Sequence, residues 1–130
     1  MEEVNFLNGK GHNIVIIGLG YVGLPLAIEF AKKFPTIGFD INPERVVQLN
    51  EGIDLTNEVS QQDLINSNLS FSSKSDDVKE CNIFIITVPT PVDNRKVPDL
   101  FPIKSATKII GSLLKEKDVV IYESTVYPGL

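Results

Sequence analysis

A chain of 130 residues, 42% apolar and 22% charged, has the size and make-up of one folded domain with a single core. Its net charge of −5 argues against the clustered basic surface of a nucleic-acid binder, and no apolar run approaches the ~20 residues of a membrane span. One cysteine, Cys81, leaves no internal disulfide and no multi-cysteine zinc site, and no other metal site is read; with no basic-then-apolar leader after Met1, the expected location is cytoplasmic.

Residues 1–12 read as a flexible leader, with the loop-like Asn8-Gly9-Lys10-Gly11-His12, and residues 13–130 as the folded domain. His12, the one histidine, reads as a solvated residue before a strand, because no acid or nucleophile lies near it in sequence. The short β-branched run Asn13–Ile17 then passes through Gly18-Leu19-Gly20-Tyr21-Val22-Gly23 into a helical pattern, Leu24–Lys33. Thr36–Asp40 is a second strand ending in an acid. A helix follows: Asn42 can cap it, Pro43 fits its first position, Glu44 suits its positive end, and Gly52 stops it. From Ile53 to Asn68 the chain is polar and reads as a loop with a short helix, Ser60–Asn66. Leu69–Ser73 alternates apolar and polar residues as a third strand would, and Ser75–Glu80 offers a capped helical turn. Cys81–Val88 is a second strongly apolar run, typical of a parallel strand buried on both faces, and it ends at Pro89 and Pro91. After the polar loop Val92–Asp99, a helix is predicted from about Leu100 to Leu114, then a last strand, Asp118–Glu123. Apolar strands alternating with helices predict an α/β domain with a Rossmann-type, doubly wound parallel sheet.

Strand, glycine turn and helix together are the context in which G-x-G-x-x-G points to a dinucleotide. Gly18 permits the tight turn, Gly20 lets a pyrophosphate approach the backbone, and Gly23 lets the helix pack close; the helix start offers free N–H groups and a positive dipole end. Asp40 lies 22 residues after Gly18, where a carboxylate can accept from the adenosine ribose hydroxyls. It also repels a 2′-phosphate: like charges about 4 Å apart cost roughly 4 kcal/mol at an effective dielectric of 20, which favours NAD over NADP. Arg45 could meet a 2′-phosphate, lie over the adenine face or be solvated; beside Asp40, the adenine-face role is the expected one. Val88-Pro89-Thr90-Pro91 and Glu123-Ser124-Thr125 leave the same edge of the inferred sheet, so Val88, Pro89, Thr90, Ser124 and Thr125 are placed along the nicotinamide-side path.

Gly18–Pro25, Phe39–Asn42, Val88–Pro91 and Glu123–Gly129, in this order, resemble the N-terminal NAD domain of the UDP-glucose/GDP-mannose dehydrogenase family. The loop Pro91–Leu100 is most similar to the branch acting on UDP-N-acetylhexosamines for surface polysaccharides. The resemblance implies oxidation of a sugar C6 alcohol to a carboxylate in two NAD-dependent steps, through a thiohemiacetal and a thioester on a cysteine. It implies that Gly18, Gly20, Tyr21, Val22 and Gly23 cradle the pyrophosphate, with Asp40 and Arg45 on the adenosine side and Thr90 and Ser124 toward the nicotinamide. Thr125 matches the family threonine that helps orient the hydrolytic water, and Glu123 receives no catalytic role. The family's nucleophilic cysteine, its lysine and asparagine, its sugar-nucleotide pocket and its dimerising helix lie beyond the NAD domain. A chain matching only that domain is therefore expected to bind NAD weakly and catalyse nothing alone, the UDP-sugar and homo-oligomerisation belonging to the longer parent. Cys81 is read as a core residue and not as the nucleophile. Two rivals share the opening turn: a 6-phosphogluconate or hydroxyacid-type dehydrogenase domain, and a stand-alone dinucleotide sensor.

Overall fold

The computed structural model describes residues 11–124; most of the expected leader, and Thr125 with the residues after it, lie outside the described residues. Five strands form one parallel sheet: β1 (Ile14–Ile17), β2 (Thr36–Phe39), β3 (Ser70–Ser72), β4 (Ile83–Ile86) and β5 (Val119–Tyr122), in spatial order β3-β2-β1-β4-β5. Its helices are α1 (Gly23–Ala31), α2 (Pro43–Asn50), α3 (Gln61–Asn66) and α4 (Phe101–Gly111), with a 3-10 turn at Ser75–Val78. The doubly wound parallel sheet and the element order follow the sequence reading.

Both central strands, Ile-Val-Ile-Ile and Ile-Phe-Ile-Ile, are buried throughout, as β-branched runs covered on two faces should be. Alternation divides them between two layers. Ile14, Ile16, Ile83 and Ile85 pack with Leu24, Ala27 and Ile28 of α1, while Val15, Ile17, Phe84 and Ile86 pack with Ala106 and Ile110 of α4. Cys81, 2% exposed, belongs to that second layer.

Local chemistry sets the helix ends. Asn42 accepts from the Glu44 N–H at 3.1 Å with Pro43 at the first position of α2. Gly52, at φ +81, ends the helix, with its N–H on the Leu49 carbonyl and the Ile53 N–H on that of Gln48. Ser60 caps α3 by accepting from Asp63. The Ser75–Val78 turn differs from expectation: no side chain caps it. Instead Ser72 donates to Asp77 at 2.5 Å, tying the turn to the end of β3. α4 is shorter than its apolar spacing predicts, ending at Gly111 with Ser112 as its cap, before Leu113 and Leu114.

The chain winds outward from β1 through β2 to β3, then crosses to β4 on the other side of β1 and on to β5. Loops leaving the carboxyl ends of β1 and β4 therefore diverge at the centre of the sheet, which is where ligands bind in open parallel α/β sheets. At this point a Cβ on Gly18 would stand 3.0 Å from the Cα of Val88.

Candidate cofactor site

Gly18 sits at φ +99, a conformation L side chains rarely adopt, and its N–H donates to the Phe39 carbonyl at 2.8 Å. Gly23 serves packing: a Cβ there would overlap the Gly18 carbonyl oxygen and the Thr87 hydroxyl. Gly20 serves neither need, for a Cβ there meets nothing within 4 Å. The space beside Gly20 is thus free for a ligand. No side chain caps α1 and no acid stands in its first turn, leaving its N-terminus able to receive an anion.

Asp40 spans the turn's far side. Its Oδ2 accepts the Leu19 N–H at 3.0 Å and its Oδ1 the Asn42 N–H at 2.9 Å. Each carboxylate oxygen keeps acceptor capacity beyond one such bond, which suits ribose hydroxyls. Arg45 is anchored within the chain, its side chain 11% exposed. Its Nε and Nη2 donate to the Leu19 carbonyl at 2.9 and 2.6 Å, and its Nη1 meets Asp54 Oδ1 at 2.9 Å.

Asp54 was hidden in the polar loop after Gly52. Its side chain is 1% exposed, and it accepts from the Thr56 hydroxyl and N–H and from the Glu58 and Val59 N–H groups. Burial opposes its ionisation, but the Thr56 hydroxyl, the Val59 N–H and Arg45 outweigh burial and bring its pKa down to about 2. The readable signal was Asp54-x-Thr56, an aspartate able to accept its own backbone N–H two residues on.

A groove of about 630 Å³ opens at the ends of β1, β2 and β4, lined by Gly18, Gly20, Asp40, Arg45, Val88 and Pro89 among the predicted residues. Also lining it, and missed by the sequence reading, are Leu55-Thr56 and the α4 residues Phe101, Pro102, Ser105 and Ile109. Ile41, Leu55 and Phe101 stand 68%, 66% and 74% exposed around it. Exposed apolar side chains about a groove are a usable surface for an aromatic ligand.

Among the described residues, the other predicted ones do not line this groove. Tyr21 and Val22 are exposed, and Val22 faces a second hollow of about 490 Å³ with Pro25, Phe30, Ile121 and Glu123. Thr90 is half-buried at the start of a hairpin that Asp93 closes by accepting from Arg95 and Val97. Ser124 gives its hydroxyl to the Val88 carbonyl at 2.9 Å, joining the loops after β4 and β5. Thr125 lies outside the described residues. Thr87, read only as strand, donates to the Gly18 carbonyl at 2.7 Å and so fixes the glycine turn to β4. Among the described residues no group of three or more His, Cys, Asp or Glu could hold a metal, and no helix is long and apolar enough to cross a membrane. Cys81 is no candidate nucleophile in this domain: burial pushes its thiol up to about 11.

Glycine turn, uncapped helix start, strand-end carboxylate and open groove at the sheet's switch point define a dinucleotide-binding Rossmann domain. Residues 12–130 match the NAD binding domain of the UDP-glucose/GDP-mannose dehydrogenase family, and the chain belongs to that family. It is 54% identical over 121 residues to the UDP-N-acetyl-D-glucosamine 6-dehydrogenase of Pseudomonas aeruginosa, covering 92% of this chain and 29% of the relative. Protein CapL of Staphylococcus aureus is 46% identical over 117 residues, covering 90% and 28%. Among solved structures, the UDP-D-ManNAc dehydrogenase of Pyrococcus horikoshii superposes with a TM-score of 0.81 at 33% identity, over 90% of this chain and 29% of that one. The chain thus spans less than a third of the length of these relatives. The family match decides against the 6-phosphogluconate-type alternative.

Proposed function

We propose that this chain is the cofactor half of an NAD-dependent UDP-N-acetylhexosamine 6-dehydrogenase, serving surface polysaccharide synthesis. The reaction is oxidation of the C6 alcohol to a carboxylate in two steps. What carries the reading is 54% identity, across nearly the whole chain, to a relative named for that activity. NAD supplies a hydride acceptor. Gly18, Gly20 and the start of α1 hold its pyrophosphate and Asp40 its ribose, with Ile41, Leu55 and Phe101 against the adenine; Val88, Pro89, Thr90 and Ser124 run toward the nicotinamide. Thr125 is assigned to orienting the hydrolytic water by resemblance alone. The UDP-sugar, a cytoplasmic location and homo-oligomerisation are assigned to the protein on the same ground.

Two measurements test this. Titration of NAD⁺ into the 130-residue chain should release heat, while UDP-N-acetylglucosamine and NAD⁺ with that chain should form no NADH. NADH formation by the chain alone would refute the division of labour. In a protein joining this domain to the family's remaining parts, UDP-N-acetylhexosamine should yield two NADH per sugar. Turnover of UDP-glucose to the exclusion of acetylated sugars would refute the substrate class. For the ribose, Asp40→Ala should weaken NAD more than NADP; equal losses would reduce Asp40 to its bonds with Leu19 and Asn42.

A further inference from the structure

We propose that Asp54, which does not line the groove, is a positioning residue for cofactor choice: it keeps Arg45 from serving a ribose 2′-phosphate. The inference rests on the groove being the NAD site. Among the described residues lining the groove, Arg45 is the one cation, alongside two acids, Asp40 and Glu44. An arginine five residues past the ribose carboxylate has the chemistry to pair with a 2′-phosphate. In this chain its donors point elsewhere, Nε and Nη2 to the Leu19 carbonyl and Nη1 to Asp54.

Which partner holds the other follows from their remaining bonds. The Asp54 carboxylate is fixed by its own loop through Thr56, Glu58 and Val59 at 2.6 to 3.0 Å. It would stay in place without the arginine. Arg45, by contrast, has only a neutral carbonyl besides Asp54, so the carboxylate both orients the guanidinium and offsets its charge. With side chains 11% and 1% exposed, the pair is little screened by solvent. What remains for the ribose edge is the uncompensated negative charge of Asp40. Neutralising Asp54 would release Nη1 and leave a bare cation beside the groove.

The test compares two nucleotides that differ only by the 2′-phosphate, 5′-AMP and 2′,5′-ADP, by calorimetric titration of the full-length protein. In Asp54→Asn the affinity ratio should move toward 2′,5′-ADP by about tenfold, since selectivity is a difference of two affinities. The double variant Arg45→Gln/Asp54→Asn leaves no buried charge alone and should restore the original ratio. An unmoved ratio in Asp54→Asn, or a shift persisting in the double variant, overturns the proposal. Should Asp54→Asn fail to fold, the double variant decides: a selective loss of 2′,5′-ADP would mean that Arg45 already serves the 2′-phosphate, whereas the original ratio supports the pairing. If the unmodified protein binds neither nucleotide, the cofactor site itself is misassigned and the proposal falls with it; binding with an unmoved ratio sinks the proposal alone.

Discussion

Arg45 donates Nε and Nη2 to the carbonyl of Leu19 at 2.9 and 2.6 Å, and the N–H of that same Leu19 donates to Asp40. One residue between two glycines is thus held at both its donor and its acceptor. The turn after β1 carries its shape in advance of any ligand, so binding need not supply the energy to order it.

The three glycines should separate by experiment. Gly23→Ala forces a methyl into the Gly18 carbonyl and the Thr87 hydroxyl, atoms of a turn and a buried strand end that cannot step aside. A loss of more than about 2 kcal/mol in urea unfolding is expected. Gly20→Ala meets nothing and should cost less than about 0.5 kcal/mol, yet weaken NAD binding about tenfold or more by occupying the pyrophosphate's approach. Equal effects of the two substitutions on stability would contradict this division.

Thr87 offers a second measurement. Its hydroxyl donates to the Gly18 carbonyl and lies near that of Ile17, at 2.7 and 3.1 Å, inside the sheet. Thr87→Val keeps the shape and removes the donor, so it should cost about 1 to 2 kcal/mol with an unchanged denaturant slope. NAD affinity should fall as well, since the turn loses its tie to β4. Unaltered binding with reduced stability would confine Thr87 to the core.

Features set by neighbouring residues were readable from the chain: the strand runs, the capping of α2 by Asn42 and Pro43, the stop at Gly52, the glycine turn. Features that depend on distant partners were not. Thr87 meets Gly18 across 69 residues, and no periodicity distinguishes its hydroxyl from that of any strand threonine. Asp54 sits in a stretch whose polarity reads as solvated, yet its backbone donors and Arg45 make it one of the few buried charges. Phe101 opens a helix whose apolar spacing assigns it no face, and only the fold brings it to the same groove as Asp40 and Ile41.

Cys81 should be inert while the domain is folded. At 2% exposure with its thiol raised from 9.0 to about 11, it carries about a hundredfold less thiolate near neutral pH than in the unfolded chain. Reaction with a chromogenic disulfide at pH 8 should therefore be at least that much slower in buffer than in urea. Comparable rates would place Cys81 at the surface.

Asp54 makes stability depend on acid pH in a stated direction. Its carboxyl titrates near 3.8 when unfolded and near 2 when folded. The folded state therefore favours the ionised form, so the contribution is complete above about pH 4 and disappears as the pH falls toward 2. That depression of the carboxyl corresponds to a contribution on the order of 2 kcal/mol. Unfolding free energies of the unmodified protein and of Asp54→Asn, measured from pH 7 to pH 2, should differ most near neutrality and approach each other as the carboxyl takes up its proton. A gap that stayed constant across that range would mean that the four loop donors and Arg45 do not hold an ionised carboxylate, and the account of Arg45 as a restrained cation would lose its basis.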